Sequence, residues 1–209
     1  MGNTQHPEDP PAPPGRPRLP GLIGLHGRKQ AGKDTAGARL VDAHGYTRVA
    51  FADPLRQFLE RLDPLVGCRD GAGLRLSEVL AAAQGQWDRL KDEAHDPVHR
   101  EIRVLLQRLG SEAGKTVLGE TVWADTGLAA ARRAGGPVVF TDVRFDVEAE
   151  AIVAAGGRAV HIVRPGAGGP ADPHPSEAGI DPRWIAATVV NDGTVEQLHA
   201  RIDALVAGG

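Results

Sequence analysis

The chain has 209 residues, 41% of them apolar, with a formal net charge of -3; this length suits one α/β domain with a small helical insertion and argues against two enzyme domains. The slight excess of acid disfavours a general nucleic-acid binder, which gathers phosphate on a basic face, so phosphate recognition is expected to be local. A lone cysteine, Cys68, excludes a disulfide framework and a thiolate zinc site, and no run of about 20 apolar residues is available to span a bilayer.

Residues 1–20 carry seven prolines and almost no apolar side chain. This composition predicts a disordered or polyproline II tail, either a plain extension or a ligand for a proline-recognition domain. It lacks the basic stretch and apolar run of a signal peptide, and a cytoplasmic location is expected.

Leu22–His26 is a short apolar run of the kind buried in a parallel sheet, and a helix is expected from Lys33 to His44, with Leu40 and Val41 inward and Gly45 as its stop. Arg48–Phe51 is a candidate second strand. From Ser77 to Arg133 the pattern is helical: Ser77 is placed to cap one helix and Asp96-Pro97 to open another. Val98, Ile102, Leu105, Leu106 and Leu109 form one stripe on that second helix, and Gly110 is expected to end it. Val138–Thr141 is then a strand running into Asp142, Asp146 a helix cap, Ala159–Val163 another strand, and Thr188–Asn191 a last short one. The closing helix carries a Thr194/Gln197 capping box and a stripe of Val195, Leu198, Ile202, Leu205 and Val206. Alternating strands and helices predict an α/β, three-layer fold on a central parallel sheet, with ligands at the carboxyl ends of the strands. The expected domain covers 21–209, with a helical segment at about 54–133 and a Gly/Pro-rich lid at about 164–180.

Gly27-Arg28-Lys29-Gln30-Ala31-Gly32-Lys33-Asp34-Thr35 has the GxxxxGK spacing of a phosphate-binding loop. Glycines let backbone N–H groups curl round an oxyanion, the following helix N-terminus adds partial positive charge, and Lys33 reaches the β and γ phosphates of ATP. The usual Ser or Thr after the lysine, a Mg²⁺ ligand, is here Asp34, with Thr35 one place later. Asp34 therefore either holds Mg²⁺, directly or through water, or organises the loop.

Other candidates each have a bland alternative. Asp142, just past an apolar strand, suits a carboxylate that holds Mg²⁺ through water, or a helix cap. Arg144 suits a clamp on an acceptor phosphate, or a surface salt bridge. Gln107, Ser111 and Glu112 suit contacts to a base or sugar, or ordinary capping. Trp123 either stacks on a base or packs. Arg164, opening the long loop, suits a lid cation on the transferring phosphoryl group, or the start of a plain connection, and Asn191 either borders adenine or makes a turn. His95 and His99 have no converging ligands, which argues against a metal there.

Phe51-Ala52-Asp53-Pro54-Leu55-Arg56, Leu105 to Glu112, and Thr141-Asp142-Val143-Arg144-Phe145, together with the loop, resemble segments of the phage-type deoxynucleoside monophosphate kinases. His174-Pro175-Ser176-Glu177 and Asn191-Asp192-Gly193-Thr194 are also similar, and the resemblance covers about 21–206. It implies a P-loop kinase fold using ATP and Mg²⁺, with a small-molecule acceptor, a deoxynucleoside monophosphate, held by Asp53, Arg56, Gln107, Gly110, Ser111, Glu112, Lys115, Trp123, Arg144 and His174. It also implies a viral source and a homodimer, and no nucleic-acid or membrane partner is expected. Ser111 stands where the family shows Thr and Lys115 where it shows Arg, which removes a bidentate phosphate fork. Asp146 and Val147 replace a familiar Pro-Asn. Rival readings are a dephospho-CoA or phosphomevalonate type of kinase and a nucleotide-dependent regulatory module.

Overall fold

A computed structural model of the chain describes residues 21–87, 89–92, 96–167 and 179–208. Along the chain, β1 (Leu22–His26) leads into α1 (Lys33–His44), β2 (Thr47–Val49) and α2 (Asp53–Leu62). Next come β3 (Leu65–Arg69), β4 (Ala72–Arg75), α3 (Leu76–Ala82), α4 (Arg89–Asp92), α5 (Pro97–Gln107), a π-helical turn (Arg108–Ala113), α6 (Gly114–Leu118) and α7 (Val122–Ala134). Then β5 (Val138–Val143), α8 (Asp146–Ala154), β6 (Arg158–Val163), a 3₁₀ turn (Pro182–Trp184), β7 (Ile185–Val190) and α9 (Val195–Ala207) follow. No helix among the described residues is long and apolar enough to cross a membrane. The chain forms two compact units, one from the residues up to Arg48 and from Ala134 onward, the other from Val49–Arg133.

The first unit is the expected α/β architecture. Its five-stranded parallel sheet has the order β2-β5-β1-β6-β7, with Ile23 beside Val139 and Gly24 beside Ala159. Ile23, Leu25, Val139, Val160 and Ile162 are buried together with Leu40 of α1 and Leu198 and Ile202 of α9. That burial sets which helix faces point inward. The α1 helix ends where expected, at a left-handed Gly45 whose N–H returns to Leu40 and Val41. Asp203 of α9 ties to α1, accepting from Arg39 Nε at 2.9 Å and Nη2 at 2.7 Å, with His44 Nε2 at 2.7 Å.

Several local expectations need correction. The second strand is Thr47–Val49, with the Thr47 N–H donating to the Pro137 carbonyl at 2.8 Å, and the last is longer than expected, Ile185–Val190. Asp146 is the first residue of α8 and not its cap: the buried Glu148 carboxylate accepts from the Arg144 and Phe145 N–H groups at 2.7 and 3.1 Å. Asp146 accepts instead from the Asp181 N–H at 2.7 Å. Val195 is 51% exposed, so the stripe of α9 starts at Leu198.

The second unit is built on Leu59, Val66, Leu74, Leu76, Val79, Leu80, Leu90 and Ile102. Cys68 lies on an antiparallel hairpin, opposite Gly73. The turn is Asp70-Gly71, with φ of 53° and 81°, the two-residue geometry that Asp-Gly favours. Ser77 does not cap α3; the helix starts one residue earlier, Glu78 accepts from the Arg75 N–H at 2.8 Å, and the Ser77 N–H donates to Asp63 at 2.8 Å. Asp96 caps α5 as expected, accepting from the Val98 N–H at 2.7 Å. Gly110 does not stop the helix, which continues through the π turn into α6. Residues 1–20, His95 and His174, and most of the expected lid, lie outside the described residues.

Candidate functional site

The loop after β1 starts with its backbone against β6: a Cβ on Gly27 would lie 2.3 Å from the Ile162 carbonyl oxygen, so no side chain fits there. It ends at Gly32, which enters α1 in the left-handed region at φ 103°. Between them Arg28, Lys29 and Gln30 are exposed and Ala31 is buried. The Lys33 Nζ folds back into the loop and donates to the carbonyls of Gly27 at 2.5 Å and Arg28 at 2.9 Å. A cation is thereby held at a helix N-terminus, the arrangement that receives phosphate oxygens. Asp34, exposed, and Thr35, half-buried, occupy the first turn of α1.

Asn191 belongs to this loop structurally. Its buried side-chain amide donates to the Ala31 carbonyl at 2.9 Å, across 160 positions of sequence, while its backbone N–H donates to Val163 at 2.6 Å. It thus anchors the loop to the ends of β6 and β7. Arg164 and Asn191 share a cavity of about 370 Å³ with Pro165, Asp192 and Gly193. Arg201 holds Asp192 at 2.8 Å and also bonds the Val190 carbonyl, which lowers the Asp192 carboxyl below its ordinary range. A second cavity of about 300 Å³ is lined by Arg28, Ala31, His161, Val163, Arg164 and Ala167.

Asp142 is half-buried near the carboxyl end of β5, and Arg144 is exposed just beyond it. This strand end is fixed to the loop by His26, whose Nδ1 donates to the Val143 carbonyl at 3.0 Å. The rings of His26 and His161 lie 5.0 Å apart. Burial, then the charges of His26 and Lys33, push the His161 imidazole below its usual pKa. Neither histidine carries a motif spacing; only the fold reveals them.

In the second unit, Asp53 Oδ2 accepts from the Ala50 N–H at 2.9 Å and its Oδ1 lies 3.4 Å from Arg56. The Arg56 guanidinium sits 5.9 Å from the Trp87 ring centroid, and the Trp87 indole N–H donates to Glu60 at 2.7 Å. Sequence reasoning missed Trp87 and Glu60, because the contacts of Trp87 with Arg56 and Glu60 reach across a hairpin and the helix α3. The i, i+4 placing of Arg56 and Glu60 was the one local signal. Gly110 meets α2 closely, since a Cβ there would lie 2.9 Å from Leu55 Cδ2. The Asp53–Arg56 segment and the Gln107–Glu112 segment are thereby brought together. Gln107, Ser111 and Lys115 are half-buried, Glu112 is exposed, and Trp123 is buried with its N–H on the Gly110 carbonyl at 3.0 Å.

Residues 80–202 match the profile of a family described as deoxynucleotide monophosphate kinase. Over 200 residues the chain is 29% identical to a protein of Acanthamoeba polyphaga mimivirus described as "Putative deoxynucleotide monophosphate kinase", an alignment covering 87% of this chain and 94% of that protein.

Proposed function

The chain belongs to the deoxynucleotide monophosphate kinase family and is a nucleotide phosphotransferase; from that premise we propose that it moves the γ-phosphoryl group of ATP to a deoxynucleoside monophosphate. The observation that carries the reading is the Lys33 ammonium held inside the Gly27–Gly32 loop at the start of α1. This feature lies outside the stretch matched by the family profile and so supports the reading independently.

In the proposed reaction a phosphate oxygen of the acceptor attacks the γ-phosphorus in line. The bond from that phosphorus to the bridging oxygen breaks, and ADP leaves with the electron pair. A phosphate monoester has a second pKa near 6, so at neutral pH the attacking oxygen is largely ionised and needs no strong general base. The protein's task is to position groups and balance charge. Lys33 turns from the loop carbonyls to the β and γ oxygens, Arg164 meets the transferring group, and Arg144 clamps the acceptor phosphate. Asn191, Asp192 and Gly193 border the adenine, and the segment about 164–180 acts as the lid. Asp53, Arg56, Gln107, Ser111 and Lys115 hold the acceptor.

The donor set suits Mg²⁺. Asp34 and Asp142 offer hard carboxylate oxygens, and the described residues contain no group of three or more His, Cys, Asp or Glu that would form a cage of protein ligands. Mg²⁺ prefers one or two carboxylates with phosphates and water. Asp34 and Asp142 would hold it, directly or through water, and when bound it supplies neutralising charge to the phosphates.

The test is ADP release with ATP and Mg²⁺ and each of dAMP, dGMP, dCMP and dTMP, the ribose counterparts and dephospho-CoA. Turnover with one or more deoxynucleotides is expected. ATP binding without transfer to any nucleotide would overturn the proposal.

A further inference from the structure

The helix that opens at Pro97 changes register where the acceptor residues lie. The Gly114 N–H reaches the Leu109 carbonyl, five residues back, where an α-helix would bring it to Gly110. A π turn of this kind takes an extra residue into the ring, and such turns concentrate at functional sites. The Gly110 carbonyl thereby lacks the Gly114 donor that an α-helix would give it, and Trp123 donates to it through its indole N–H at 3.0 Å.

The surroundings lock this arrangement. A Cβ on Gly114 would lie 2.3 Å from the Leu109 oxygen and 2.5 Å from Trp123 Cζ2, so the π turn and the indole fit each other only over a glycine. Gly110 rests against Leu55 on its other side. Trp123 is 8% exposed, with its one polar atom directed at the carbonyl the register change leaves over.

In an unbroken α-helix Gln107, Ser111 and Lys115, four apart, would share one face. The π turn rotates Ser111 and Lys115 about the axis relative to Gln107. We propose that Trp123 is a positioning residue for the acceptor nucleotide: by holding the Gly110 carbonyl it maintains the π turn that sets how Gln107, Ser111 and Lys115 are presented together. The inference rests on the reading of these three residues as acceptor contacts.

The test replaces Trp123 in two ways in the full chain. Trp123→Phe removes the N–H and part of the ring, while 3-benzothienylalanine at 123 keeps the ring shape and lacks only the donor. For both, KM for the preferred deoxynucleoside monophosphate, KM for ATP, kcat and Tm are measured. The expected result is an acceptor KM raised about tenfold, equivalent to one weakened buried contact, with ATP KM changed by less than about twofold. An isostere whose acceptor KM stays at the wild-type value, whatever its Tm, or whose two KM values rise together, would overturn the proposal alone. A wild type that transfers to no deoxynucleotide would instead overturn the functional reading, and this inference with it.

Discussion

Asn191→Ala tests whether the amide between Ala31 and β7 holds the Gly27–Gly32 loop in shape. The substitution leaves the buried Ala31 carbonyl without its donor, and orphaning such a group costs about 1–3 kcal/mol. If that cost falls on the whole fold, a chain of this size should lose about 2–4 °C in Tm per kcal/mol, or about 6 °C at mid-range. The carbonyl can also reach water by local opening of the loop. The cost then appears as weaker nucleotide binding, and 2 kcal/mol corresponds to about 30-fold. Thermal unfolding with and without ATP, alongside the ATP KM, measures both routes. The expected outcome is a lower Tm, an ATP KM raised at least about fivefold and an unchanged acceptor KM. Asn191→Leu, which restores volume without the donor, should behave alike. Wild-type Tm and ATP KM in both variants, with an altered preference between ATP and GTP, would refute the reasoning and make Asn191 a reader of the base.

Other expectations follow from the same contacts. Lys33→Met should remove phosphoryl transfer while leaving Tm within about 3 °C of wild type, since the ammonium donates to two carbonyls of its own exposed loop; activity near wild type would end the assignment of the loop. Trp87→Leu should raise the acceptor KM about fivefold by releasing Arg56, whereas Trp87→Phe, which keeps an aromatic face beneath the guanidinium, should raise it less; equal effects would separate Trp87 from Arg56. Arg39 first, then His44, holds the Asp203 carboxyl below its usual range. A depressed carboxyl gives its full stabilisation above its unfolded pKa, about 3.9, and that contribution fades as pH falls from there toward the folded value. Between pH 5 and 3 the Tm of Asp203→Asn should therefore fall less steeply than that of wild type; parallel slopes would show that the pair contributes nothing.

What the sequence made legible depended on how far apart the interacting residues stand. The Gly27–Thr35 loop, the α1 stop at Gly45 and the Thr194/Gln197 box rest on neighbours within a few positions, and each is where the pattern places it. The hairpin at 65–75 was readable from Asp70-Gly71, but Gly67 and Gly73 weaken the strand pattern on either side. Gly110 shows a deeper limit. As a local signal, glycine after an apolar stripe means a helix end; in the folded chain it permits close approach to Leu55, and the helix runs on because Trp123, 13 residues later, accommodates the displaced carbonyl. The same reasoning applies to Asn191, whose turn-like context conceals a bond across 160 positions. Local rules find the loop proposed to hold phosphate because that chemistry needs several residues in a row. The groups that orient them come from other elements, so the Ala31, Arg56 and Gly110 contacts are where mutation should separate binding of each substrate from the chemistry itself.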